Sequence, residues 1–157
     1  MTDVKDSGVE LPDADLWRKF DVPAPRYTSY PTADRFRPDV SRADYENALA
    51  ERPADRSLSV YTHIPFCANV CFYCGCNKIV TRNRALADPY IDAVLAEAKI
   101  ASEHLTGKRT LSQLHWGGGT PTFLDSEQIE RLLEGIRAIY PFEADGEYSI
   151  EIDARTC

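Results

Sequence analysis

The chain has 157 residues and a formal net charge of −7 at neutral pH. This acidic balance argues against a nucleic-acid-binding surface, because neutralising phosphate groups requires clustered lysine and arginine. No apolar run approaches the roughly 20 residues that a membrane-spanning helix requires, so we expect no membrane span. No secretory signal is visible, and we therefore expect reduced cysteines and a cytoplasmic location.

The first 56 residues are predicted to form two segments that precede the main domain. Residues 1–15 are acidic with few large apolar groups, so we expect a mobile tail there. Residues 16–56 are predicted to be an N-terminal extension with one short helix. A capping box, Ser41-Arg42-Ala43-Asp44, opens this helix, and Pro53 follows its end.

Residues 57–157 alternate between strand and helix patterns. The predicted elements are a strand over 58–64, a helix that Asp88 caps and Thr106-Gly107 ends, a strand over 111–116, a helix from Asp125 to Tyr140, and a strand over 148–153. Such alternation predicts an α/β fold with parallel strands and outer helices, either as a barrel or as an open sheet. The two-residue strand period places Tyr61 with His63, and Glu151 with Ser149, on polar faces.

Four of the five cysteines lie within ten residues, and three of them, Cys67, Cys71 and Cys74, have the spacing CxxxCxxC. Three thiolates would leave one iron of a four-iron cluster open to a reacting ligand, whereas most cluster proteins supply four cysteines. Structural zinc remains the alternative, although it normally takes two separated ligand pairs. A disulfide scaffold is disfavoured, because the cysteines are few and closely spaced. Cys157 stands alone.

A glycine run, Gly117-Gly118-Gly119, follows a predicted strand directly, where backbone can approach a ligand closely. A glycine run is a weak signal by itself, because a flexible turn would also explain it. It is not a phosphate-binding Walker loop, since no GKS or GKT follows.

Five segments of the chain together resemble a known family. They are Arg26–Ala33 (RYTSYPTA), Tyr61–Cys67 (YTHIPFC), Cys74–Ile79 (CGCNKI), His115–Thr122 (HWGGGTPT) and Ser149–Asp153 (SIEID). The cysteine spacing is similar to that of the radical S-adenosylmethionine superfamily. The additional Cys76 and the Tyr-Thr-Ser-Tyr-Pro-Thr segment resemble, more narrowly, the oxygen-independent coproporphyrinogen III oxidases.

The resemblance implies a partial (β/α)6 barrel with its site at the carboxyl ends of the strands. Because three strands are predicted, we expect the N-terminal part of such a barrel, truncated after the third strand. Polar strand positions would then point into the barrel. We expect the chain to be inactive on its own.

The resemblance also implies roles for individual residues. Cys67, Cys71 and Cys74 would hold a [4Fe-4S] cluster. The residues implied to contact S-adenosylmethionine are Tyr61, Tyr73, Gly118, Gly119, Thr120 and Glu151. Cys76 is interpreted as a free thiol near the site, with simple packing as an equal alternative, and Phe72 is expected to pack within the loop. His63 is as consistent with packing as with a site role, and His115 has no assigned role.

The implied reaction is the oxygen-independent oxidative decarboxylation of two propionates of coproporphyrinogen III to vinyl groups. It would use a 5′-deoxyadenosyl radical, two molecules of S-adenosylmethionine per turnover and an unidentified electron donor, in a monomer. Arg26 and Arg35 are candidates to contact substrate carboxylates, although each taken alone is better explained as a solvated surface arginine. A related haem chaperone and a non-catalytic zinc-binding fragment remain the alternatives.

Overall fold

The computed structural model describes residues 13–22 and 32–154. These fall into two compact units, one up to Asp39 and one from Val40 on. The first unit contains a short helix, α1 (Ala14–Phe20), and a 3-10 turn at Ala33–Arg35. The sequence analysis did not predict α1. Its signal is Asp13, whose carboxylate accepts hydrogen bonds from two backbone N–H groups of the first turn.

The second unit alternates strands and helices. Its elements are α2 (Arg42–Glu51), β1 (Leu58–Ile64), β2 (Phe66–Cys67), β3 (Ile79–Val80), α3 (Ala87–Glu103), β4 (Leu111–Gly118), α4 (Ser126–Ile139) and β5 (Phe142–Ile150). Strands β1, β4 and β5 form a parallel sheet with β4 in the centre, and β2 pairs with β3 in a separate parallel ladder. The predicted α/β class with parallel strands is therefore confirmed, whereas the truncated barrel stays a prediction.

Helices α3 and α4 cover one face of the sheet and build the core with it. The buried side chains of this core include Ile91 from α3, Leu132 and Ile136 from α4, and Ile64, Leu111, Leu114 and Trp116 from the strands. Burying an aliphatic side chain of this size stabilises the fold by about 1.5–3 kcal/mol. The two helices pack closely because Gly135 has no side chain: a Cβ there would lie 2.5 Å from the side chain of Leu95.

Two predicted helix starts are confirmed by their caps. Ser41 and Asp44 form the expected capping box of α2, and Asp125 forms another with Gln128 at the start of α4. No helix in residues 13–22 and 32–154 combines the length and the apolar composition needed to cross a membrane.

The predicted start of α3 is wrong. Asp88 lies inside the helix, which begins at Ala87 without a side-chain cap. A 3-10 turn at Arg84–Leu86 runs directly into α3, and Asn83 caps that turn by accepting the N–H of Ala85. The Asp88 carboxylate instead accepts a hydrogen bond from Gln128 of α4, at 3.2 Å. The helix also ends earlier than predicted, at Glu103.

The predicted bounds of the last strand are also wrong, since β5 begins six residues earlier than Tyr148. Phe142 pairs with Leu111, after which a bulge precedes the regular pairing that starts at Glu147. Tyr148 closes the bulge, because its ring stacks on Phe142 at 4.7 Å and its hydroxyl donates to the Glu143 carbonyl at 2.6 Å. The interrupted pairing hides this strand from a simple alternation pattern.

Replacing Gly107, which lies in the turn before β4, should destabilise the fold. Its φ is 72°, and a Cβ would lie 2.4 Å from the carbonyl oxygen of Ala54. We expect Gly107→Ala to lower the free energy of unfolding by about 2 kcal/mol or more, because this conformation alone costs an L-residue ~1–2 kcal/mol. Gly75→Ala is the matched control, with no atom within 4 Å of the added Cβ. Urea unfolding of both variants checks this; equal losses would contradict it.

Glu143, at the amino end of the sheet, should make the stability of the fold depend on pH. Its carboxylate binds Lys108 and accepts hydrogen bonds from Ser57 and Thr110, both at 2.7 Å. Lys108 first, then the two hydroxyls, lower the pKa of Glu143 from 4.5 to about 2. Because the pKa of Glu143 is lower in the folded than in the unfolded state, the stabilisation is complete above the unfolded pKa. It declines as pH falls from the unfolded pKa to the folded pKa.

We therefore expect Glu143→Gln to melt at a lower temperature than the unmodified protein at pH 7. The difference between their melting temperatures should decrease as pH is lowered below 4.5 toward 2. Thermal unfolding followed by circular dichroism over this pH range measures it. A difference that stays constant with pH would mean that the ion pair of Glu143 does not stabilise the fold.

Candidate functional site

The sheet face opposite α3 and α4 is polar. Because side chains alternate between faces along a strand, the parallel register sets polar residues of three strands beside one another. Tyr61, His115 and Ser149 are direct partners in one row across the sheet. Glu151 follows the end of β5, and its N–H still donates to the Trp116 carbonyl at 2.9 Å. Its side chain therefore lies on the same face as Ser149, as the strand period predicts.

His63 connects this polar face to the cysteine loop (residues 67–76). Its Nε2 lies 2.8 Å from the carbonyl oxygen of Asn77, and its Nδ1 lies 3.1 Å from the Tyr61 hydroxyl. A carbonyl only accepts, so Nε2 carries the proton and Tyr61 donates to Nδ1 in the neutral ring. Tyr90 of α3 donates to the His63 carbonyl at 2.6 Å. These contacts fix His63 between the sheet and the end of the loop.

Glu151 lies over the glycine run at the end of β4. One carboxylate oxygen accepts the N–H of Gly118 at 3.3 Å, and the other lies 3.5 Å from Nε2 of His115. A Cβ on Gly117 would lie 3.0 Å from the Glu151 carboxyl carbon. Tyr61 is close by: burial first, then the charges of Glu151 and Cys76, raise the pKa of its hydroxyl. The carboxylate thus sits among residues from all three strands.

Gly118 and Gly119 make room for other site groups. Gly118 has φ of 112°, and a Cβ there would lie 2.6 Å from the His63 ring. A Cβ on Gly119 would lie 2.7 Å from the Pro65 carbonyl oxygen and 2.9 Å from Cys67 Sγ. The run is therefore more than a flexible turn, because each glycine allows a specific close approach. Thr120 follows, and its hydroxyl lies 3.5 Å from Cys67 Sγ.

The cysteines of the loop differ in burial and in the pKa of their thiols. Cys67 is buried, Cys71 and Cys74 are half-buried, and Cys76 is exposed; these four thiols are free. The backbone N–H of Cys76, together with Lys78, lowers the pKa of the Cys74 thiol. Burial, followed by the charge of Cys74, raises the pKa of the Cys76 thiol. Cys74 is thus better suited than Cys76 to bind a metal as a thiolate.

Unpaired thiols are the donor set that an iron–sulfur cluster requires, and the missing side chain of Gly119 leaves space beside the buried Cys67 Sγ. Within the described residues, however, no three cysteine, histidine or carboxylate side chains are gathered closely enough to hold a metal. The loop carries its apolar side chains into solvent, with Tyr73 86% exposed. Metal binding and local folding are coupled at such sites, so the donor chemistry fits a cluster while the three thiols remain apart.

The expected packing of Phe72 within the loop is wrong, because its side chain is fully exposed. Arg35 pairs with Asp34 on the surface, whereas Arg26, Cys157 and the segment at residues 27–31 lie outside the described residues. The predicted site residues that the structure brings together are Tyr61, Gly118, Gly119, Thr120, Glu151 and Cys67. Tyr73 is not among them, and its side chain is exposed.

Sequence reasoning missed two participants in this arrangement, the Asn77 carbonyl and the link from His115 to Ser149. A backbone carbonyl leaves no signal in a sequence. The strand register would have found the second, since it makes His115 the direct neighbour of both Tyr61 and Ser149.

A cavity of about 430 Å³ lies between α2, the edge of β1 and α3, and its lining includes Tyr61 and His63 of the polar face. Its lining is mainly apolar and includes one carboxylate, Glu97, and no cysteine. The chemistry-bearing side chains therefore lie on the polar face, and we place the candidate site there.

Comparison with known proteins decides the family. The chain is 44% identical over 141 residues to the oxygen-independent coproporphyrinogen III oxidase of Mannheimia haemolytica, covering 90% of this chain and 95% of that relative. The chain belongs to the oxygen-independent coproporphyrinogen III oxidase family. No protein-family profile matches it.

Two longer members of the oxygen-independent coproporphyrinogen III oxidase family align with nearly the whole chain. The Pseudomonas aeruginosa protein is 47% identical over 146 residues, and the Escherichia coli protein is 49% identical over 143. Each alignment covers 91% of this chain but only 32% or 31% of the relative. The chain therefore spans about a third of the length of these relatives.

A solved structure has the same fold over this segment. It is described as coproporphyrinogen III oxidase (HemN) from Escherichia coli, a radical SAM enzyme. The TM-score is 0.79 at 47% identity, and the match covers 92% of this chain and 31% of that chain. The parallel α/β architecture thus agrees with the corresponding part of a radical SAM enzyme.

Proposed function

We propose that this protein acts in the oxygen-independent conversion of coproporphyrinogen III to protoporphyrinogen IX, a step of haem biosynthesis. The reaction removes two propionate carboxyl groups as carbon dioxide and leaves two vinyl groups. One observation carries the proposal: the fold gathers Tyr61, the glycine run and Glu151 on one polar face, with Cys67 beside Gly119. Family membership supports the same reaction.

Cys67, Cys71 and Cys74 would hold a [4Fe-4S] cluster with one iron left for S-adenosylmethionine. When bound, the cluster supplies the electron that cleaves S-adenosylmethionine to a 5′-deoxyadenosyl radical; this chemistry belongs to the cofactor. The chain contributes ligands and a backbone cradle. Thr120 lies beside Cys67, so its hydroxyl can donate to the Cys67 thiolate and tune it, as groups around metal ligands do.

S-adenosylmethionine would lie along the polar face between Tyr61 and Glu151. Its ammonium group and ribose hydroxyls are donors, and an exposed carboxylate such as Glu151 is a matching acceptor. Backbone groups of Gly118, Gly119 and Thr120 would contact its methionine part, which requires the close approach that glycine allows. Tyr73 would stack on the adenine, and its exposed ring is free to do so.

We also propose that the chain consists of a tail (1–15), an extension (16–56) and a segment of a partial (β/α)6 barrel (57–157). Two S-adenosylmethionine molecules would be consumed per turnover. The protein would receive electrons from a separate donor, would be a monomer and would be located in the cytoplasm. The free thiols of the cysteine loop are of the kind that a reducing compartment maintains.

The test is turnover by the complete gene product that contains this chain. After anaerobic reconstitution with iron and sulfide, coproporphyrinogen III, S-adenosylmethionine and a reductant should give protoporphyrinogen IX and 5′-deoxyadenosine. A protein that holds a cluster and binds haem stoichiometrically, yet decarboxylates nothing, would instead be a haem chaperone. Zinc in place of iron after anaerobic purification would favour a non-catalytic metal-binding role.

A further inference from the structure

His115 occupies the centre of the polar face, between the two side chains that are proposed to contact S-adenosylmethionine. Its ring stacks on Tyr61 with centroids 5.8 Å apart and planes inclined by 19°. Its Nδ1 lies 2.8 Å from Ser149 Oγ, and its Nε2 lies 3.5 Å from a Glu151 oxygen. The strand register fixes this position, because His115 on the central strand pairs with Tyr61 on one side and Ser149 on the other.

The contact with Glu151 indicates where the neutral ring of His115 carries its proton, because a carboxylate accepts but cannot donate a hydrogen bond. A serine hydroxyl can donate to Nδ1, and a neutral imidazole then carries its hydrogen on Nε2. Nε2 is the nitrogen that faces Glu151, so the carboxylate meets a donor rather than a second acceptor. The Gly118 N–H holds the other carboxylate oxygen at 3.3 Å. Ser149, His115 and Gly118 thus restrict Glu151 from two sides.

We propose that His115 is a positioning residue for S-adenosylmethionine: through Nε2 it orients the Glu151 carboxylate. This inference rests on the proposed function, since it requires Glu151 to contact that ligand. A purely structural role fits less well. The His115 side chain is 42% exposed and is not part of the core that α3 and α4 cover, so we expect its loss to leave the packing of the core unchanged.

Two isosteric variants separate the two nitrogens. His115→Asn keeps a polar group near Nδ1 and loses the one facing Glu151, whereas His115→Gln keeps an amide donor near Nε2. Equilibrium binding of S-adenosylmethionine to the anaerobically reconstituted protein should weaken roughly tenfold for His115→Asn. His115→Gln should stay within about threefold of the unmodified protein, and iron content and melting temperature should change in neither.

A double-mutant cycle tests whether His115 acts through Glu151. Adding His115→Asn to Glu151→Gln should change the affinity by less than about twofold, because the carboxylate to be oriented is already gone. Independent effects that multiply would overturn the inference. Glu151→Gln with unaltered affinity would overturn the Glu151 contact itself, and the inference with it; weakened binding by Glu151→Gln but not by His115→Asn would overturn the inference alone.

The tautomer can be measured without ligand or cluster. Nitrogen-15 spectra of the chain labelled at its three histidines should show neutral His115 protonated at Nε2, with the signal assigned by its loss in His115→Asn. Ser149→Ala should give a mixture of tautomers and weaken S-adenosylmethionine binding less than His115→Asn does. Protonation of neutral His115 at Nδ1 in the unmodified chain would overturn the inference, even if the affinities behaved as expected.

Discussion

Alanine at Cys67, Cys71 or Cys74 should abolish the cluster after anaerobic reconstitution, whereas Cys76→Ala should retain about four irons per chain. The first three thiols have the spacing that leaves one iron open, and a fourth protein ligand would close that position. Cys76 is the matched control, since it lies in the same loop but is exposed and its thiol pKa is raised. Iron and sulfide analysis with visible absorption spectra of the four variants measures the effect.

The opposite pattern would disprove the ligand assignment. If Cys76→Ala lost the cluster and one of the other three variants kept it, the loop would use a different set of thiols. We also expect binding of the cluster to order the loop, because the three thiols must come together to hold it. Limited proteolysis near the exposed residues Phe72 and Tyr73 should slow markedly once the cluster is bound.

Glu151→Gln should weaken S-adenosylmethionine binding by about 1.5–3 kcal/mol, or roughly tenfold to a hundredfold. The change keeps the shape of the side chain and removes the charged acceptor. Cluster content should not change, because the ligands lie on a loop after a different strand. Binding titrations on the reconstituted variant measure the affinity, and thermal unfolding of the same sample measures stability.

Glu147→Gln is the matched control for Glu151→Gln. Glu147 lies on β5, on the same face as Glu151, and accepts a long hydrogen bond from Gln113 at 3.4 Å, but it is farther from the glycine run. Its replacement should leave the affinity unaltered. If Glu151→Gln lowered the melting temperature and bound S-adenosylmethionine normally, Glu151 would be a structural residue of the sheet.

The sequence was sufficient to predict elements whose signals are local. The capping boxes at Ser41 and Asp125 define helix starts because the side chains that satisfy the first N–H groups lie within three residues of each other. Strand period likewise predicts that Tyr61 and Glu151 each lie on the polar face of their own strand. That they meet follows from the parallel order, which the alternation of strands and helices predicts.

Other features depend on contacts between distant residues and could not be predicted. The bulge in β5 depends on Tyr148 folding back over Phe142, and the start of α3 depends on a 3-10 turn that extends it. The reason for three successive glycines is visible only when Glu151, the His63 ring and Cys67 are seen to fill the places of their missing side chains. The role of His115 likewise depends on strand register rather than on a motif.

The most direct measurement is electron paramagnetic resonance of the reconstituted protein after reduction, with and without S-adenosylmethionine. The account predicts the signal of a reduced four-iron cluster, which changes when S-adenosylmethionine binds to the open iron and does so at higher ligand concentration in Glu151→Gln. A cluster signal that S-adenosylmethionine leaves unaltered, or the absence of any cluster signal from a protein that retains zinc, would contradict the proposal that this polar face and cysteine loop form a radical S-adenosylmethionine site.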